Sequence, residues 1–448
     1  MRKYLFLLLF VFGYALQAQY SINGTIDPDH DYSWILLYKL ENGEQTYIAN
    51  ADVEDGEFKF EIDEKEDSGI YRAYYQIENN LYVEFIYNKE DVKFSFDPNN
   101  PDTSISFSES EENNIYHNYY EAIKSKQQRL DSIQVLYFKS TDKKTDEALE
   151  KTYKKYLADL KDEQHLFEKN SEGLLANHFI LASSQYNENS PHKEPEAYLE
   201  AIKEHFFDAM DLSDSILNHS TFVNDRLNDY VFYLNQGEDE VSENELQKVA
   251  IEKAVNWIDH HFETLSSFEE ELIETYLISE NVEMINFVMD TYYKALPVAY
   301  QNEELIRRTE ATLLTALGSI APDFSWESDG KTNTLHSLSG TDYFIVLFFS
   351  SNCPHCQMEI PEFYTFISGI ENIKVVAVGL EDNKQSWEIM TKEYSEFVNI
   401  LDLDKWSSQK VKDYGISAIP TYLVLDAEKK ILAKPEDFNE LKTMFETR

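Results

Sequence analysis

A chain of 448 residues is too long for one ordinary core and predicts about two to four domains. Hydrophobic residues at 42% and aromatic residues at 14% are ample for buried interiors. The 39 basic and 83 acidic side chains leave a net charge of −44, which excludes a nucleic-acid-binding surface and disfavours adhesion to anionic membranes.

The N-terminus reads as an export address. Arg2 and Lys3 precede an apolar run from Tyr4 to Phe12, too short to span a bilayer comfortably, and Ala15-Leu16-Gln17-Ala18 supplies small residues at a cleavage point. Removal after Ala18 is expected, leaving Gln19 first. No cysteine follows the run to carry a lipid. No later segment is apolar enough to span a membrane, so no transmembrane span is expected once the signal is gone.

Residues 19–108 predict an all-β domain. Runs such as Trp34-Ile35-Leu36-Leu37-Tyr38, Phe58-Lys59-Phe60-Glu61-Ile62 and Tyr82-Val83-Glu84-Phe85-Ile86-Tyr87 are rich in β-branched and aromatic residues, and several alternate with period two. Asn42-Gly43, Asp55-Gly56, Asn79-Asn80 and Asp97-Pro98 punctuate them. A small antiparallel sandwich or barrel is expected, its aromatic residues serving sheet packing rather than a sugar platform. Residues 109–318 predict an all-α region of antiparallel helices over 115–138, 145–167, 173–185, 195–210, 213–234, 242–262, 268–277, 282–296 and 303–317. The adjacent His260 and His261 fall on one of these helices and point different ways.

Residues 319–448 alternate strand and helix. Phe344-Ile345-Val346-Leu347-Phe348-Phe349 is a continuous apolar run, as expected of a strand buried on both faces. Cys353-Pro354-His355-Cys356 follows it and opens a helical pattern. Cys353 and Cys356 are the only two cysteines in the chain. A disulfide between them closes a loop too small to constrain an unfolded exported chain, so reactivity explains the pair better than stability. At a helix start, amides and dipole stabilise a thiolate on the first cysteine, and the thiolate is the form that attacks disulfides.

On three groups of residues the last 130 or so positions resemble the thioredoxin superfamily, and within it the secreted TlpA/ResA-like thiol–disulfide oxidoreductases. These are Ala321-Pro322-Asp323-Phe324-Ser325 with Leu335-His336-Ser337-Leu338-Ser339-Gly340, the strand leading to Cys353-Pro354-His355-Cys356 and on to Glu359-Ile360-Pro361-Glu362-Phe363, and Tyr414-Gly415-Ile416-Ser417-Ala418-Ile419-Pro420-Thr421. The resemblance implies an α/β thioredoxin-like fold with a cis Ile419-Pro420 bond beside the cysteines. Catalytic roles fall to Cys353 as nucleophile, Cys356 as resolving thiol, His355 and Pro420, with Pro354, Ile419 and Thr421 binding substrate. It implies no cofactor and no metal. Residues 20–108 are similar to a β domain that precedes thioredoxin-like domains in other exported bacterial proteins.

The sequence departs from the pattern in places. The buried aspartate six positions before the first cysteine of thioredoxin is Leu347 here, and the tryptophan that commonly precedes that cysteine is Asn352. No proton acceptor for Cys356 is thereby identified; Glu359 is a candidate, although its helical position also suits a solvated or structural role. Protonated His355 would stabilise the Cys353 thiolate. The Pro-His dipeptide is that of oxidising DsbA-like proteins, whereas TlpA/ResA-like proteins are reductants.

The expected organisation is a signal peptide over 1–18, a β domain over 19–108, a helical domain over 109–318 and a thioredoxin-like domain over 319–448. The expected function is a thiol–disulfide oxidoreductase of the bacterial envelope or periplasm, its partners being cysteine-containing exported proteins and a redox partner protein. The competing reading is an exported binding protein whose β and helical regions dock a partner. Peroxidase chemistry ranks lower, because peroxiredoxin-like domains place Pro and Thr seven and three residues before the reactive cysteine, where this chain has Val346 and Ser350. Zinc binding ranks lower still, since no histidine other than His355 is spaced to join the pair.

Overall fold

The computed structural model describes residues 19–28, 32–41, 44–328 and 330–446. The expected signal over residues 1–18, its cleavage at Ala18, and the expected turn at Asn42-Gly43 lie outside the described residues. Among the described residues no helix is long and apolar enough to cross a membrane. The chain divides into two compact units, Met1–Phe268 and Glu269–Arg448.

In the first unit β1 (Gln19–Ile26), β2 (Trp34–Glu41), β3 (Glu44–Asp52), β4 (Glu57–Asp63), β5 (Gly69–Gln76), β6 (Leu81–Tyr87), β7 (Val92–Phe96) and β8 (Ser106–Glu109) form two sheets. Their strand orders are β4-β1-β7-β8 and β3-β2-β5-β6. Alternation drives the arrangement: in β4 every second side chain (Phe58, Phe60, Ile62) is buried. Phe58, Phe60 and Phe94 from one sheet meet Tyr71, Phe85 and Tyr87 from the other in a single core. The domain is therefore a sandwich rather than a barrel. The all-antiparallel expectation fails at one pair, because β1 and β7 run parallel. The chain passes through the whole second sheet between them, and that long crossover permits parallel pairing. Gly24 is needed where it stands: a Cβ there would lie 1.9 Å from the Phe58 ring.

Helices α1 (Pro101–Ser104), α2 (Glu111–Lys139), α3 (Lys143–Asn170), α4 (Ala176–Ala182), α5 (Pro195–Glu204), α6 (Ser215–Asn218), α7 (Phe222–Asn228) and α8 (Glu240–Ile258) complete the unit. Helices α2 and α3 are capped by Ser110 and Asp142 and share a core of Leu130, Tyr153, Leu157 and Leu160. Three expectations are corrected. The helix over 173–185 is confined to Ala176–Ala182: Gly173 takes a left-handed φ of 89°, and the buried Glu112 carboxylate accepts from Leu175 N and Ala176 N at 3.0 and 2.7 Å, fixing the start. The helix over 213–234 is broken into α6, α7 and one π turn over Asp229–Tyr233. There Asn218 donates to Leu212 O, and Ser220 donates to Leu217 O while accepting from Phe222 N, so side chains take over backbone hydrogen bonds. His260 and His261 stand exposed beyond the end of α8 at Ile258, not on a helix.

Helix α9 (Phe262–Ile278) crosses the division between the units. The second unit continues with α10 (Val282–Thr291) and α11 (Glu303–Leu314), then a small hairpin of β9 (Ser325–Ser328) and β10 (Lys331–Thr334). Its main sheet is built from β11 (Tyr343–Phe349), β12 (Ile373–Leu380), β13 (Val398–Asp402), β14 (Thr421–Asp426) and β15 (Ile431–Ala433) in the order β13-β12-β11-β14-β15. Strand β11 is central, parallel to β12 and antiparallel to β14. Its side chains divide between two cores: Phe344, Val346 and Phe348 on one face, Ile345, Leu347 and Phe349 on the other. The second face packs against α12 (Pro354–Ile367) and α15 (Phe438–Glu446), the first against Val411 of α14 (Gln409–Asp413); α13 (Lys384–Thr391) lies between β12 and β13 in the chain. This is a thioredoxin-like α/β domain, after an N-terminal β region and a central helical region. Buried Lys429 is accommodated by donating to Leu338 O and Ala427 O, both at 3.0 Å, with its ammonium 3.7 Å from the centre of the Phe344 ring.

Candidate active site

Strand β11 ends at Phe349, and Ser350, Ser351 and Asn352 turn the chain into α12. Cys353 is the N-cap of that helix and Pro354 its first residue, where the missing N–H costs nothing. The Cys353 Sγ accepts from Cys356 N at 3.4 Å and lies 3.6 Å from Ile419 O. The Ile419–Pro420 peptide bond is cis. Thr421 donates its hydroxyl to Ala418 O at 2.7 Å, tying the loop on both sides of that bond. Cys353, Ile419, Pro420 and Thr421 are half-buried, Pro354 and His355 exposed. The structure thus brings Cys353, Cys356, Ile419 and Pro420 together, and leaves the His355 side chain facing solvent.

Cys356 is fully buried, one turn into the helix, among Ile345, Leu347, Phe363 and Tyr422. The two cysteines are unbonded thiols. Burial pushes the Cys356 thiol well above its usual range, and the neighbouring Cys353 and Glu359 push in the same direction. Glu359 is half-buried and accepts from the Tyr422 hydroxyl at 2.8 Å. Of the solvated and structural roles that its helical position suits, the bond to Tyr422 fits the structural one. Among the described residues no group of three His, Cys, Asp or Glu side chains is placed to hold a metal ion.

One residue beneath the site was missed. Glu381, fully buried just after β12, accepts from Ser351 N at 2.5 Å, from Ser351 Oγ at 2.8 Å and from Ser350 Oγ at 3.3 Å. Ser350 Oγ in turn accepts from Asn352 N, and Gln357 Nε2 donates to Ser351 O at 2.6 Å. The turn presenting Cys353 is thus built on a buried carboxylate. The sequence signal was present: Glu381 directly follows the apolar run from Val375 to Leu380, and Ser350-Ser351 directly follows the run from Phe344 to Phe349. A polar residue at such a position needs partners, and these are each other's.

Comparison with known proteins gives two family matches. Residues 317–434 match the AhpC/TSA family, and residues 20–116 match a domain of unknown function, DUF4369. Among solved structures, the thioredoxin domain of a thiol–disulfide oxidoreductase from Bacteroides vulgatus is 23% identical, covering 30% of this chain and 96% of its own, with a TM-score of 0.27. The C-terminal domain of a putative thiol–disulfide oxidoreductase from Bacteroides thetaiotaomicron is 26% identical, covering 30% and 95%, with a TM-score of 0.27. A thioredoxin-like protein from Bacteroides caccae is 17% identical and covers 59% of this chain and 98% of its own, with a TM-score of 0.28. No curated protein matches the chain.

Proposed function

We propose that this chain, which carries an AhpC/TSA-type thioredoxin-like domain at its C-terminus and a DUF4369 β domain near its N-terminus, is an exported thiol–disulfide oxidoreductase of the bacterial cell envelope. It acts on cysteine-containing exported proteins through Cys353 and Cys356. The observation that carries this reading is the asymmetry of the two sulfurs: Cys353 is reachable at a helix N-cap beside Pro420, and Cys356 is sealed behind it.

Written in the reducing direction, the Cys353 thiolate attacks one sulfur of a substrate disulfide. A mixed disulfide forms and one substrate thiolate leaves. The Cys356 N–H directed at Cys353 Sγ and the start of α12 favour the negative charge on the attacking sulfur. Cys356 then gives up its proton and attacks Cys353 Sγ. The Cys353–Cys356 disulfide forms, the second substrate thiolate leaves, and two electrons have passed to the substrate. Oxidation of a substrate dithiol is the same sequence reversed. Ile419 and Thr421 flank Pro420 where an extended substrate segment would lie against the loop, and Pro354 and His355 form its exposed rim. Peroxide reduction is disfavoured because Val346 and Ser350 are both buried and Ser350 is engaged with Glu381.

Thiol trapping across a series of redox buffers tests the reading. The reduced native protein is expected to be alkylated at Cys353 alone, to titrate reversibly with two electrons, and to form a stable mixed disulfide in the Cys356→Ser variant. Failure to exchange electrons with dithiothreitol or a small disulfide would overturn it. The midpoint fixes the direction: near or above the glutathione range for an oxidase or isomerase, well below it for a reductase. Should the Cys353→Ser variant retain partner capture and phenotype, the chain is a binding protein with an accessory redox domain.

A further inference from the structure

The first unit contains a cleft of about 460 Å³, within the range of ligand sites, and the redox reading makes no use of it. One wall is β6, with Tyr82, Glu84 and Ile86. Helix α2 contributes Tyr116, His117 and Tyr120, and Phe222 and Asp225 of α7 also line it.

Strand β6 is the edge of its sheet. Ile86 N donates to Asn113 Oδ1 at 2.8 Å, and Asn113 Nδ2 donates to Ile86 O at 2.7 Å. The amide of Asn113 therefore pairs with Ile86 as a neighbouring strand residue would. This fixes the phase of the ladder. With both Ile86 backbone groups directed away from β5, the Ile70–Ile86 pair is the wide one, and in an antiparallel ladder wide and narrow pairs alternate. The pairs Arg72–Glu84 and Tyr74–Tyr82 are then wide as well. The N–H and C=O groups of Glu84 and Tyr82 point off the sheet edge, into the cleft that those residues line.

The charges lining the cleft do not balance. Arg72 Nε donates to Glu84 at 2.8 Å, its guanidinium lies 4.2 Å from the centre of the Tyr82 ring, and its far nitrogen reaches Thr221 Oγ1 at 3.5 Å. Thr221 in turn donates to Asp225 at 2.8 Å. One guanidinium thus serves two carboxylates. The Glu84 side chain remains 38% exposed through the cleft mouth, yet the packed atoms around it push its carboxyl upwards, as they do for Asp225. Glu121 and Lys124 at the lining offset each other.

We propose that this cleft binds an extended segment of another polypeptide as an added strand on β6, with a lysine or arginine of the guest placed at Glu84 and Asp225 and apolar or aromatic neighbours against Tyr82, Tyr116 and Phe222. Main-chain pairing supplies affinity without demanding one sequence, and the charge and the aromatic walls supply the preference. With Ile86 already paired by Asn113, the open edge at Tyr82 and Glu84 takes about three to four residues of extended chain. The inference rests on the first unit alone and stands or falls independently of the cysteines.

The test uses the full mature chain and a fluorescein-labelled, capped peptide, Ser-Val-Thr-Lys-Val-Tyr-Ser, read by anisotropy. Saturable binding is expected. N-methylation of one alternate set of peptide amides is expected to weaken it about tenfold or more, while methylation of the other set leaves it unchanged. Replacing the peptide lysine by glutamate, or the protein's Asp225→Asn, is expected to weaken it too, and Cys353→Ser to leave it intact. No saturable binding, equal binding of both methylated peptides, or equal loss with both would overturn the proposal. Tyr82→Pro, which removes one outward N–H on an edge strand, gives an independent reading if its melting curve stays native; unweakened binding by a folded Tyr82→Pro variant would also count against strand pairing.

Discussion

Tyr422 donates its hydroxyl to Glu359 at 2.8 Å, joining strand β14 to the second turn of the helix that carries the cysteines. The same strand begins beside Pro420. One short stretch of backbone thus sets both the loop opposite Cys353 and the carboxylate felt by Cys356. Burial and the bond to Glu359 push the phenol far above its usual range, so Tyr422 keeps its proton and stays the donor.

Glu359→Gln is expected to lower the Cys356 thiol from its raised position, because the negative charge that disfavours its thiolate is gone. If Glu359 also takes the Cys356 proton during resolution, release of the mixed disulfide slows by about tenfold or more even though the thiol is now more acidic. Single-turnover exchange with a small disulfide, alongside the pH profile of alkylation in a denatured-then-refolded control, separates the two effects. Faster resolution with a lowered thiol would assign Glu359 a purely electrostatic role.

Glu381→Ala is expected to destabilise the second unit by about 2–4 kcal/mol, since Ser351 N and two hydroxyls lose a buried acceptor. Chemical denaturation measures the loss. A softened turn should also make Cys353 alkylation less selective over Cys356. A variant as stable as the parent would show that the serines find other partners.

Glu269 makes stability depend on pH. It is buried with Oε2 unpartnered, and burial alone pushes its carboxyl up to about 8. The folded state therefore holds a proton that the unfolded chain releases at the ordinary glutamate pKa. Its contribution is fully present below about pH 4 and declines as pH rises through about 8. Glu269→Gln is expected to flatten that decline and to raise stability above pH 8 by a few kcal/mol, on the order of 5 at most. Melting temperatures measured from pH 5 to 9 provide the check; parallel curves for the two proteins would contradict it.

Gly24→Ala is expected to cost about 1–3 kcal/mol, because the new Cβ meets the Phe58 ring. Combining it with Phe58→Leu should recover part of the loss. Additive losses in the double variant would show that backbone conformation, and not the ring, is what Gly24 serves.

The C-terminal domain was legible because its signals are local. The run from Phe344 to Phe349 can only be a doubly buried strand, Cys353-Pro354-His355-Cys356 opens a helix by its own residue types, and Ile419-Pro420 marks a turn. The strands of the β domain were visible for the same reason, through alternation such as that of Phe58, Phe60 and Ile62. The parallel pairing of β1 with β7 was not, since register between distant strands has no local signature. Helix breaks around Ser220 were also hidden: amphipathic periodicity runs through them, and only the tertiary setting lets Asn218 and Ser220 compete with the backbone. Glu381 escaped because its partners lie 30 residues away in sequence.

Asn113 has one further consequence. A bare sheet edge can template copies of its own chain, stacking strand on strand into fibres. By plugging the Ile86 end of β6 with a side-chain amide, the protein denies a long neighbour its register beyond that point. What remains open is the short stretch at Tyr82 and Glu84, a berth long enough for a peptide and too brief for strand-on-strand stacking.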